Sequence, residues 1–114
     1  HGTTHFSNSI YAALDYAFKD KGHPNIFLAT VEAYPSIDSL KRLVDAYKPE
    51  EIVLAPFMIV AGDHAKNDMA GDDPDSWYNK FKAAGYKVTP ILKGLGEYRG
   101  IQELFVEHLK TIEQ

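Results

Sequence analysis

Short apolar runs alternate with longer stretches of helical spacing, and this alternation limits the fold more than any other feature of the chain. Ile10, Ala13, Leu14, Ala17 and Phe18 keep the i, i+3, i+4, i+7, i+8 spacing of one helix face. Ser7 or Asn8 can cap that helix, and Gly22 with Pro24 can end it. Ile26 to Val31 reads as a buried strand. Ile37, Leu40, Leu43, Val44 and Tyr47 then mark a second helix, stopped by Pro49. Ile52 to Ala55 reads as a second strand, and the Gly-, Asp- and Asn-rich stretch 56–74 reads as a loop. Asp73-Pro74 fits the start of a third helix with Trp77, Tyr78, Phe81 and Ala84 on its buried face. Val88 to Leu92 is the third expected strand. Ile101, Leu104, Phe105, His108, Leu109 and Ile112 form the stripe of a last helix, which places His108 half-buried.

Strands that alternate with helices predict right-handed crossovers and an α/β fold with a mostly parallel sheet flanked by helices. The unbroken apolar character of the strands predicts a sheet covered on both faces. A helix-first order predicts that the first strand of this lobe lies ahead of His1. The missing initiator Met points the same way, to a processed chain or a piece of a longer one. The 114 residues suffice for a single lobe over 1–114.

Composition removes several functions. Twelve Lys and Arg against 16 Asp and Glu give a net charge of −4, so no nucleic-acid or anionic-membrane partner is expected. The absence of cysteine excludes disulfides, zinc fingers and thiol nucleophiles. No apolar run approaches the ~18–20 residues that span a bilayer.

In an open parallel sheet, ligands bind beyond the carboxyl ends of the strands. Residues 1–5, 32–35, 57–73 and 93–100 would lie there. His1, Glu32 and His64 each fall at such an end. Two imidazoles and a carboxylate suit first-row divalent ions: cobalt(II), iron(II), nickel(II) or zinc. Spacing alone does not establish a metal site and reads first as ordinary polar loop residues, some of them capping helices. His5 fits either a place beside the site or a helix-start role, and His23 sits in a solvated turn. Asp63, Asp68, Asp72, Asp73 and Asp75 form an acidic loop that reads first as solvated and capping. Gly94-Leu95-Gly96 lacks the spacing of a dinucleotide fingerprint and reads as a tight turn.

Several strings go further. His-Gly-Thr-Thr-His at 1–5, Val-Glu-Ala-Tyr-Pro at 31–35 and Pro-Phe-Met-Ile-Val-Ala-Gly-Asp-His-Ala-Lys-Asn-Asp-Met-Ala-Gly-Asp-Asp at 56–73 resemble the anaerobic sirohydrochlorin cobalt chelatases. Asp-Ser-Trp at 75–77 and Gly-Leu-Gly-Glu at 94–97 extend the likeness over the whole chain. The resemblance implies a class II chelatase lobe of flavodoxin-like, Rossmann-like kind, equivalent to the carboxyl-terminal half of a two-lobe enzyme. It implies metal and catalytic roles for His1, Glu32 and His64, and no separate cofactor site. The implied activity is insertion of cobalt(II), or of iron(II) or nickel(II), into sirohydrochlorin in anaerobic cobalamin synthesis. The implied partners are sirohydrochlorin and either an amino-terminal lobe or a second copy to complete the cleft. The implied location is cytoplasmic, or periplasmic if an export segment has been removed. A metal or tetrapyrrole carrier without catalysis, or an inactive fragment, is the competing reading.

Overall fold

Helical spacing is followed wherever the sequence carries it. The computed structural model describes residues 1–113, with helices α1 (Ser9–Asp20), α2 (Ile37–Tyr47), α3 (Trp77–Ala83) and α4 (Arg99–Glu113). Strands β1 (Glu51–Leu54) and β2 (Lys87–Pro90) lie parallel, with Glu51 opposite Lys87 and Leu54 opposite Pro90. The α/β class therefore stands, built on a small parallel sheet with helices around it.

Polar side chains fix the helix starts. Ser36 Oγ accepts the Ser39 N–H at 3.2 Å to cap α2, and Ser76 Oγ accepts the Asn79 N–H at 3.2 Å to cap α3. The third helix thus starts after Ser76, not at the expected Asp73-Pro74. Asp73 instead closes a local turn on the Asp75 N–H at 2.8 Å, the competing use of an aspartate that the sequence leaves open. Lys48 ends α2 in the left-handed conformation (φ 57°) just before Pro49.

Three expectations need correction. The run 26–31 forms no strand, so the described sheet has two strands rather than three. Its main chain is taken up locally: the Asp15 carboxylate accepts the Leu28 N–H at 2.7 Å, and the Pro35 carbonyl accepts the Thr30 N–H at 2.7 Å. The sheet is also not covered on both faces, since Val53 is 56% exposed. Finally, the stripe of α4 has no cover: Leu104, Phe105 and Leu109 are each 55% exposed, and His108 is exposed too. α4 leans mainly on the 3-10 turn Leu95–Glu97 and extends the molecule to 52 Å. The radius of gyration is accordingly 15.4 Å, against about 13 Å for a chain of this length packed as a sphere-like domain.

The core lies between the sheet and the middle helices. Leu40 and Val44 of α2, Leu54 of β1, Met69 from the stretch between β1 and α3, and Phe81 of α3 are all buried and in one cluster. Phe81 is the largest fully buried side chain, with Tyr86 edge-on to it at 6.2 Å. The Tyr86 hydroxyl donates to Asp45 at 2.7 Å and ties β2's leading end to α2. The Lys41 ammonium, and after it the Tyr86 hydroxyl, hold the Asp45 carboxyl below the usual aspartate range.

Candidate metal centre

Three backbone devices carry His1, Glu32 and His64. The first is Gly2, at φ +97°. A Cβ there would stand 2.9 Å from the Cβ atoms of both Thr30 and Ala33, so only glycine lets the chain lie this close to the 30–33 turn. The contact is locked by the His1 carbonyl, which accepts the N–H groups of Val31 (3.1 Å) and Glu32 (3.0 Å).

The second device is the turn 30–35. Thr30 is fully buried; its Oγ1 donates to the Pro35 carbonyl and accepts the Ala33 N–H at 3.0 Å. The turn is closed on itself, and Glu32 projects from its crest. Asn8 then staples the first device to the second. Its Oδ1 accepts the Thr3 N–H at 3.0 Å, and its Nδ2 donates to the Tyr34 carbonyl at 2.6 Å.

The third device is a π-helical turn, His64–Met69, inside the stretch that reads as plain loop. Ala65 and Met69 are buried and anchor the turn, while His64 stays half-exposed above them. Single π turns recur at functional sites because the widened coil re-aims its side chains. Here His64 Nδ1 meets Asp68 Oδ2 at 2.6 Å. A carboxylate only accepts, so Nδ1 carries the proton and the Nε2 lone pair is left free.

The structure brings His1, Glu32 and His64 together. Each offers one ligand atom, and these atoms all lie within 4.8 Å of one another. His1 Nδ1 is 3.3 Å from Glu32 Oε2, and the His1 and His64 rings stand edge-on with centroids 3.8 Å apart. Donors on a tetrahedral ion at ~2.1 Å stand ~3.4 Å apart, so side-chain shifts of at most ~1.4 Å bring the three donors onto one ion. Their side chains are 42%, 55% and 42% exposed, which leaves the group open on its outer side. Among the described residues no other group of three such side chains converges in this way.

His5 is not part of the group. Its Nδ1 accepts the Ser7 N–H at 3.1 Å and caps the 3-10 turn Phe6–Asn8, which decides for the helix-start role. His23 and His108 are exposed elsewhere. Gly94–Gly96 is the expected tight turn: a Cβ on Gly94 would sit on the Ile59 carbonyl, and the Leu95 and Gly96 N–H groups donate to Met58 (2.6 Å) and Ile59 (3.0 Å). Two residues of the site escape the sequence reading. Asp68 falls into the acidic loop there, although its i, i+4 spacing from His64 is a helical-pair signal. Asn8 reads as a cap, yet makes no capping bond and links two loops instead.

A parallel sheet flanked by helices forms an α/β lobe, and at its rim two imidazoles and a carboxylate meet, a donor set that could hold a divalent metal ion. The family model described as cobalt chelatase (CbiK) matches residues 1–114, and the chain belongs to that family. It is 45% identical over 112 residues to the sirohydrochlorin cobaltochelatase of Salmonella typhimurium, covering 96% of this chain and 41% of that protein. It is 33% identical over 109 residues to the sirohydrochlorin cobaltochelatase CbiKC of Nitratidesulfovibrio vulgaris, covering 96% of this chain and 38% of that one. The chain thus spans about two fifths of the length of these curated relatives. No helix among the described residues is long and apolar enough to cross a membrane.

Proposed function

We propose that this chain is the metal-holding lobe of a cobaltochelatase, equivalent to the carboxyl-terminal half of a two-lobe enzyme, and that it delivers cobalt(II) to sirohydrochlorin. The observation that carries the reading is the meeting of His1, Glu32 and His64 within 4.8 Å at an open rim. Iron(II) and nickel(II) suit the same donors and compete for the site. The proposed location of the lobe is the cytoplasm.

Insertion replaces two pyrrole N–H protons by one divalent ion, so two protons must leave for each metal that enters. The ion must also shed water without becoming trapped. Three protein donors on an open rim meet both needs: they replace part of the hydration shell and leave coordination positions for ring nitrogens. Glu32 keeps negative charge beside the ion. A neutral imidazole accepts a proton near neutral pH. A ligating nitrogen cannot do so at the same moment, so His1 and His64 act as ligand and then as base, after the metal has passed to the ring. Asp68 holds His64 ready for either role by fixing the proton on Nδ1.

Mixing the chain with sirohydrochlorin and cobalt(II) and following the absorbance change tests the reading. Insertion faster than in a protein-free control is expected, with the excess abolished in His64→Ala. Tight cobalt binding with no acceleration would replace catalysis by the carrier reading.

A further inference from the structure

Asn79, the third residue of α3, does two things at once. Its main-chain N–H donates to the Ser76 cap at 3.2 Å. Its side-chain Nδ2 reaches back along the chain, with the carbonyl oxygens of Gly71, Asp72 and Asp73 at 3.4, 3.0 and 2.9 Å. A carboxamide nitrogen carries two hydrogens, so three consecutive carbonyls share them. The acidic stretch is thus gripped by its main chain, not by its carboxylates. Among the described residues no other side chain bonds to these three carbonyls.

The grip continues into the π turn. The Gly71 N–H donates to the Asn67 carbonyl at 3.1 Å, and the Ala70 N–H to the Ala65 carbonyl at 3.2 Å. A Cβ on Gly71 would stand 2.4 Å from the Asn67 carbonyl oxygen and 2.9 Å from Asn67 Cα, so the two main chains lie in direct contact. The Asn67 carbonyl belongs to the same planar peptide as the Asp68 N–H. Asp68 in turn meets His64 Nδ1 at 2.6 Å. Every link from Asn79 to the imidazole is therefore a hydrogen bond or a short covalent step. The far end is fixed in the core, since Ser76 and Phe81 of the same helical segment are both buried. A π turn is a rare, single-turn distortion. Here Ala65 and Met69 anchor its inner side, and the 71–73 carbonyls brace its carboxyl end.

We infer that Asn79 is a positioning residue of the metal centre. Through the 71–73 carbonyls and Asn67 it sets the Asp68 carboxylate, and with it the nitrogen that His64 presents to the ion. This role rests on the proposed metal reading, yet its first consequence is measurable with no metal present.

Three substitutions test it. Asn79→Asp keeps the shape but turns a donor toward three carbonyls into an acceptor. Asn79→Ala removes the donors alone, and decides by itself should the aspartate variant not fold. Val44→Ala loosens the buried core from α2 and is the control for lost stability. The metal-free reading is the two-bond proton–nitrogen NMR spectrum in mildly alkaline solution, with His64 assigned by the signals lost in His64→Ala. Wild type and Val44→Ala should show the Nδ1–H form of His64, and the Asn79 variants a mixture of the two tautomers. The second reading is cobalt(II) titration, corrected for the unfolded fraction. The Asn79 variants should lose about tenfold in affinity, the low end for groups that orient a metal ligand, and Val44→Ala nothing. An Nδ1–H form kept in the Asn79 variants would overturn the inference. So would mixed tautomers in wild type or to equal extent in Val44→Ala, or mixed tautomers in the Asn79 variants with cobalt affinity unchanged. Failure of the wild type to bind cobalt would remove the metal reading instead, and the tautomers would still decide whether Asn79 positions His64.

Discussion

Replacing His64 with alanine should weaken cobalt(II) binding at least about tenfold, a loss of about 1.4 kcal/mol or more. The size follows from the geometry. His64 is the donor whose free nitrogen is set in advance, because Asp68 engages Nδ1 at 2.6 Å. Groups that orient a ligand in this way are themselves worth about 10–100-fold in metal affinity, so removing the ligand costs no less. The two donors that remain, His1 and Glu32, are already 3.3 Å apart and can satisfy one another without an ion. His108→Ala is the matched control: it also removes an imidazole, but from the exposed face of α4. Isothermal titration of the three proteins with cobalt(II) should give equal affinities for the wild type and the control. Equal affinity for His64→Ala would remove that residue from the metal centre.

The second large effect falls on stability. Phe81→Ala should cost about 3–5 kcal/mol, the range for emptying a fully buried aromatic site. Phe81 is 1% exposed and touches the cluster formed by α2, β1 and the π turn, so the cavity has walls on every side. A small domain stands only about 5–15 kcal/mol above its unfolded state, so this one change removes a large share. Denaturant unfolding should show the midpoint fall with little change in slope. A loss under about 1 kcal/mol would mean that the core lies elsewhere. The same substitution should disturb cobalt binding only through the unfolded fraction, because Phe81 does not touch His1, Glu32 or His64.

How much of this was legible in the residues depends on what each signal reports. Ile37, Leu40 and Val44 announce α2 because a helix makes its own hydrogen bonds and needs only a face to bury. Ile26 to Val31 announces burial, but a strand also needs a neighbour's main chain, and none is paired with it here. The pattern is right about the environment and silent about the partner. α4 is the same case at the level of a helix: Leu104, Phe105 and Leu109 keep perfect spacing for a cover that the described residues do not supply. Strand-end logic singles out Glu32 and His64 because each lies beyond an apolar run, and His1 because the element order predicts a strand ahead of it. The resemblance of residues 56–73 to a chelatase sharpened that list. Asp68 and Asn8 were missed because the Gly- and Asp-rich composition of 57–73 hides a π turn, and because a cap position says nothing about a side chain that reaches across to Tyr34.

Cobalt K-edge X-ray absorption on the metal-loaded 114-residue chain reads the central claim directly. Convergence of residues 1, 32 and 64 on one ion predicts two imidazole shells near ~2.0–2.1 Å together with oxygen donors, and one imidazole fewer in His64→Ala. A spectrum with only oxygen neighbours, unchanged by the substitution, would contradict it.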